Sequence, residues 1–289
     1  MHLSLRALIF RAAILSVGLP LLAGCQAVAG KASDAKADAK TKEKADAKAK
    51  GPVPLAEAPW NASLIAAIDK LPIGGGYSIS AGAMEALHAG ISWEDDKPAL
   101  RPKAAQPSFC SGATYMLFLV MLAQEQRAHR ITLTPDVWRA LIVEGQADGQ
   151  GVWGRWNANG PGTARLFFET GAGTSFTDMK LAKPGDFMKI FWNDSIGASE
   201  KGHSVVFIGT TVEKGEEMVS FWSSNQPGGY GTKTVPRAKI KRMLFSRLEK
   251  PELLDAVLKL PAKDPFLSSL EEKTVPAEEA AAAVGLNKM

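Results

Sequence analysis

Cys110 and His203 are the residues of this chain whose types and settings could do nucleophilic chemistry together. Cys110 stands in "PSFCSGATYMLFLVML", at the point where an apolar helix should begin. A thiol is a poor nucleophile until ionised. A helix N-terminus favours the thiolate through its N–H groups and its partial positive charge. His203 follows 93 residues later in "GHSVVFIG", at the start of a β-rich run. An imidazole at a strand end could take the thiol proton and later deliver it to a leaving amine.

A third polar residue should orient the imidazole. A hairpin turn centred near residue 213 would set His203 opposite Ser223, and Ser223 and Asn225 share one face because strand side chains alternate. Asn225 is the first choice, since an amide can accept from the ring N–H and hold the productive tautomer; Ser223 is the alternative. The oxyanion hole should use the backbone N–H of Cys110 or Ser111, with a side-chain donor from Gln106 or Ser108. Asp186, in "KPGDF", reads as a turn-former rather than a catalytic acid. The segment "VWGRWNANGPG" carries Trp153, Trp156, Asn157 and Asn159, whose aromatic faces and amides suit a saccharide or peptide groove. The same tryptophans could instead pad the core.

Other chemistries find little support. There are four histidines and no HExxH, which argues against a zinc hydrolase. No GxSxG elbow, P-loop or dinucleotide fingerprint occurs, and no cofactor is needed.

The elements that must position these residues can be read from periodicity. A helix spans Asn61 to Lys70 and stops at Pro72; Ser80 caps another over Ala81 to His88, ended by Gly90. Residues 92 to 108 hold three prolines and read as loop or short edge strand. Ser111 to His129 is apolar nearly all round its first half, so it belongs at the centre of a fold. Thr134 and Pro135 start a helix to Glu144, and Thr163 to Thr170 is a further short one. Then the pattern turns to β: "KPGDFMKIFW" is turn and strand, "GHSVVFIGTTVEKGEEMVSFWSS" is a hairpin, and Thr232 to Pro236 is another strand. Lys250 onward reads as helical and peripheral, with an Ala-rich end that is loosely held. Helices first and an antiparallel sheet second make an α+β domain.

Cys110-Ser111-Gly112 heading an apolar helix, then Pro184-Gly185-Asp186-Phe187, then Gly202-His203-Ser204-Val205-Val206 resembles the papain-like bacterial cell-wall hydrolases of the NlpC and CHAP types. The resemblance covers roughly residues 105 to 226. It implies a papain-like fold, with the cysteine on a central helix packed on a small antiparallel sheet. It implies amide hydrolysis in peptidoglycan stem peptides or at related amides, with Cys110 as nucleophile and His203 as base. Gln106 is attractive on the same ground, because papain-like enzymes often use an upstream glutamine. The chain departs from the NlpC pattern at Phe109, where Asp is common. It also lacks a nearby YxxGG and has a long insertion between Cys110 and "PGD". A non-catalytic lipoprotein that binds wall polymer on the same scaffold is the alternative.

The N-terminal residues address the protein. Residues 1–24 have a short basic start and an apolar run well short of the roughly 18 to 20 residues a membrane span needs, so they read as a signal peptide. Leu22-Ala23-Gly24-Cys25 resembles the bacterial lipoprotein box, which implies lipid on Cys25 and a membrane anchor. Gln26 in place of Asp favours the outer membrane, facing the periplasm, where the cell has one. Residues 25–50 form an Ala-, Lys- and Asp-rich tether that cannot bury a core. The formal charge of +4 belongs to this end: residues 1–30 hold +2 and residues 31–50 hold +3, leaving −1 for residues 51–289. The basic balance is therefore no nucleic-acid footprint. Residues 51–262 form one hydrolase domain, followed by a tail over 263–289. With Cys25 lipidated, Cys110 has no disulfide partner.

Overall fold

The helix begun by Cys110 runs to Arg127 and buries residues on every side of its first three turns. A computed structural model describes residues 58–142, 156 and 160–289. The signal, lipidation and tether assignments, Cys25 included, lie outside the described residues, as do Trp153, Asn157 and Asn159. The described elements begin with α1 (Asn61–Ile68), β1 (Gly74–Gly75), α2 (Ala81–Ala89), β2 (Ile91–Glu94), β3 (Lys97–Leu100) and α3 (Cys110–Arg127). Next come α4 (Pro135–Leu141), α5 (Gly162–Thr170), β4 (Gly173–Phe176), β5 (Phe187–Phe191), β6 (Ile196–Gly197), β7 (Gly202–Glu213) and β8 (Glu216–Asn225). The last are β9 (Gly229–Pro236), β10 (Arg242–Leu248), α6 (Pro265–Ser269), β11 (Thr274–Val275) and α7 (Ala277–Ala282).

The fold is α+β. Seven strands form one antiparallel sheet in the order β1-β9-β8-β7-β5-β10-β4. Helix α3 packs on β7 and β8, with α1 beside it. Because strand side chains alternate, the sheet feeds two apolar clusters. Phe187, Phe191, Val206, Trp222 and Leu244 join the α3 core. Met188, Ile190, Val205, Phe207, Phe221 and Phe245 fill the other face. Expected caps are present: Ser80 Oγ accepts from Ala83 N and Thr134 Oγ1 from Val137 N, each at 3.4 Å.

Three features differ from the sequence expectation. Residues 91–100 make a true hairpin, β2 on β3, turned through Asp95 and Asp96 at φ 46° and 60°. Both values lie in the left-handed region that a two-residue hairpin turn requires and that Asp tolerates. Strands β4 and β10 are additions, and β10 lies between β5 and β4. The end of the chain is not loosely held. Leu267, Leu270, Ala280, Ala281 and Val284 are buried in the α3 core, and Arg165 of α5 bonds Asp264 Oδ2 at 2.9 Å and the Ala283 carbonyl at 2.6 Å.

Candidate active site

Cys110 is the first residue of α3, after Phe109, whose side chain cannot cap. The first α-helical backbone bond runs from Ala113 N to Phe109 O at 2.9 Å, so the N–H groups of residues 110–112 precede the ladder. The loop before the helix is tied down on two sides. Ser224 Oγ of β8 donates to the Ser108 carbonyl at 2.8 Å. Ser108 N donates to Gly76 O at 3.2 Å, and Tyr77 N to Pro227 O at 3.2 Å. These bonds fasten the thiol to the end of β8 and the turn beyond it.

His203 reaches the same place from β7. The β7–β8 hairpin turns at Lys214 and Gly215, both at positive φ, and pairs Glu213 with Glu216. A bulge between Phe207 and Gly209 shifts the register, and the last pair is Val206 with Trp222. Three residues beyond that pair lie His203 on one strand and Asn225 on the other. The expected turn near residue 213 is therefore misplaced, and His203 stands level with Asn225 instead of Ser223.

The side chains follow from this register. His203 Nε2 is 3.1 Å from Asn225 Oδ1. Asn225 Nδ2 donates to the carbonyls of Ser223 at 3.1 Å and Gly231 at 2.8 Å, which fixes its oxygen toward the ring. Nε2 thus carries the proton, and Nδ1 is left for the thiol. Ser223 Oγ does not serve the imidazole; it donates to the Ser204 carbonyl at 2.7 Å. Phe207 N bonds toward β5, to Asp186 O at 2.8 Å, so alternation turns the Ser204 N–H toward β8. The ladder has ended there, and the Ser204 N–H bonds the Cys110 sulfur instead.

These contacts set the thiol's acidity. Burial pushes Cys110 up. Against it act the hydrogen bond and charge of His203, the Ser204 amide and the charge of Lys189, which together bring the thiol from 9.0 down to about 7. Tyr77 beside it is raised to about 12, first by burial and then by the charge of Cys110.

Cys110 and Ser111 line a cavity of about 330 Å³, walled by Tyr77, Trp156, Lys189 and Glu200 among others. Trp156 is 1% exposed and its indole donates to Glu169 Oε2 at 2.7 Å, so it is a wall held in place. Gln106 is turned away: its Nε2 donates to Gly74 O at 2.8 Å, which takes the amide away from the thiol. Asp186 is fully buried in a bidentate pair with Arg247, at 2.8 and 2.6 Å, and accepts from Asn61 Nδ2 at 2.9 Å and Lys183 N at 2.8 Å. It holds the turn into β5 and does no chemistry at the thiol. Among the described residues, no group of three His, Cys, Asp or Glu could hold a metal ion, and no helix is long and apolar enough to cross a membrane.

Sequence reading missed Tyr77, Thr114, Lys189, Ser204 and Glu200. Only Lys189 left a trace, as a lone charge within the apolar strand Phe187–Phe191. Compared with known proteins, the chain matches no family model, no curated protein and no solved structure.

Proposed function

We propose that this chain is a cysteine hydrolase of amide bonds with a papain-like active site. One observation carries the reading: the His203 ring is held by Asn225 at 3.1 Å and is near enough to the Cys110 thiol to help lower it to about 7. Cys110 gives its proton to His203 and attacks the amide carbonyl carbon. Backbone N–H groups at the start of α3, those of Cys110 and Ser111, take up the negative charge on the carbonyl oxygen. The C–N bond breaks as His203 passes the proton to the leaving amine, and a thioester remains on Cys110. His203 then takes a proton from water, whose oxygen attacks the thioester carbon. The acid departs and the thiol is restored. Asn225 keeps Nδ1 facing the sulfur through both halves.

Peptidoglycan stem peptides are the proposed substrate, and lipid on Cys25 the proposed anchor in the cell envelope. The motifs around Cys110, "PGD" and His203 support the first, and Leu-Ala-Gly-Cys the second. The test is digestion of purified peptidoglycan, with analysis of the fragments released by wild type and by Cys110→Ala. Release by wild type alone is expected. Equal release by both proteins would refute a cysteine mechanism, and no release by either would remove peptidoglycan as the substrate.

A further inference from the structure

We propose that Lys189 is an anion-recognising subsite beside Cys110, and that the scissile amide belongs to a molecule carrying a free carboxylate that seats on its ammonium. This deepens the hydrolase reading and rests on it, since both use the same cavity.

Lys189 is the middle residue of β5, between two pairs of buried apolar residues. Its side chain is 17% exposed and lines the cavity that holds Cys110. Its cross-strand partner is Ser204, whose amide meets the sulfur. A guest reacting at Cys110 therefore shares its cavity with this ammonium.

The opposite charge is set back. Glu200, with a side chain 1% exposed, takes Lys189 Nζ on Oε1 at 2.5 Å and the Gly197 N–H on Oε2 at 3.2 Å. An ammonium has three donors; Glu200 uses one, which leaves two for a guest. Glu271 is exposed and lines the same cavity, so an anion seats at the inner, Lys189 end.

The backbone makes room for this pair next to the histidine. A Cβ on Gly202 would stand 2.1 Å from Glu200 Oε1 and 2.8 Å from Lys189 Nζ. A side chain before His203 would push the ends of the ion pair aside. A buried ion pair is a weak source of stability, and an apolar pair of similar volume would serve the fold as well. The pair stands in the wall of the cavity that holds the thiol, where the ammonium can meet a guest.

The test compares two alkylating agents of one size, iodoacetate and iodoacetamide. With each, the Cys110–carbon bond forms, the carbon–iodine bond breaks and iodide leaves. They differ in carboxylate against neutral amide. The ratio of their rate constants at pH 7 reads recognition of the carboxylate. Loss of Lys189 changes the thiolate fraction alike for both reagents, and His203 acts in every variant, so neither moves the ratio between variants. Lys189→Met should lower the ratio roughly tenfold, the worth of one charge-assisted hydrogen bond. Lys189→Arg should keep most of it. Lys189→Met with Glu200→Gln leaves no buried charge unpaired, and complete labelling by iodoacetamide shows its site to be folded. An unchanged ratio in that double variant overturns the proposal. Peptidoglycan takes no part, so failure to digest it would sink the substrate assignment and leave this ratio intact.

Discussion

Thr114 on the second turn of α3 and Ser204 on β7 share a hydrogen bond of 2.9 Å between their hydroxyls. Ser204 is the chain neighbour of His203, and Thr114 lies one turn along from Cys110. Thr114 Oγ1 also lies within bonding distance of the Cys110 and Ser111 carbonyls, at 3.2 and 3.1 Å. The contact sets how closely the helix end approaches the strand end. Thr114→Val keeps the shape and removes the bond. Iodoacetamide should then alkylate Cys110 about fivefold more slowly at pH 7, the worth of one neutral hydrogen bond. An unchanged rate would free the dyad from this contact.

The thiol of Cys110 is lowered to about 7. Its alkylation rate should therefore rise with pH through a midpoint near 7, where an ordinary cysteine would show about 8.5. The sign follows from the anion: contacts that favour thiolate let it form at lower pH. His203→Ala removes the largest lowering contacts and leaves burial, so the midpoint should move above 8.5. A midpoint that stays near 7 in His203→Ala would assign the shift to Lys189 and the helix end.

Asn225 and Ser223 are separated by their partners. Asn225→Ala frees the imidazole to turn and should cost roughly tenfold or more in kcat, with KM little changed. Ser223→Ala loses a bond to the Ser204 carbonyl and should cost far less. The two kcat values on one amide substrate decide which residue orients His203; equal losses would tell against Asn225.

Asp186 and Arg247 are a fully buried pair, with Arg247 stacked 5.1 Å from the Phe176 ring centre. Removing one partner should destabilise by about 3–5 kcal/mol, because a buried charge is left alone. Asp186→Ala and Arg247→Met should each lower the denaturation midpoint, while the double variant should lose less than the sum. Additive losses in a urea melt would argue against direct pairing.

Deleting residues 263–289 tests the tail. The deletion strips Leu267, Leu270, Ala280, Ala281 and Val284 from the core and leaves Arg165 without Asp264 and the Ala283 carbonyl. The melting temperature should fall by several degrees or more. An unchanged melt would show the segment to be dispensable.

Legibility in the sequence followed the length scale of each signal. Helices declared themselves through caps and short-range periodicity, as at Ser80, Thr134 and the start of α3. Strand β10 was missed because Ser246 and Arg247 break its alternation; both are buried only because β4, β5 and Asp186 receive them. The Ala-rich end lacks large apolar residues, so nothing local showed that Ala280 and Ala281 would be fully buried.

By itself the sequence determined the types and settings of the chemical groups. Cys110 opens a helix that is apolar nearly all round its first half, His203 opens a strand, and polar Ser223 and Asn225 end the next. These are local properties, readable over a few residues. Only the tertiary structure decided who meets whom. The turn at Lys214 and Gly215 would set His203 level with Gln226, and one bulge brings it to Asn225, because a single extra residue shifts every pair beyond it. Packing of β5 against β7 brought Lys189 beside the thiol, and burial with these partners gave Cys110 its acidity. Distances between remote residues are products of the whole sheet, and no local pattern encodes them.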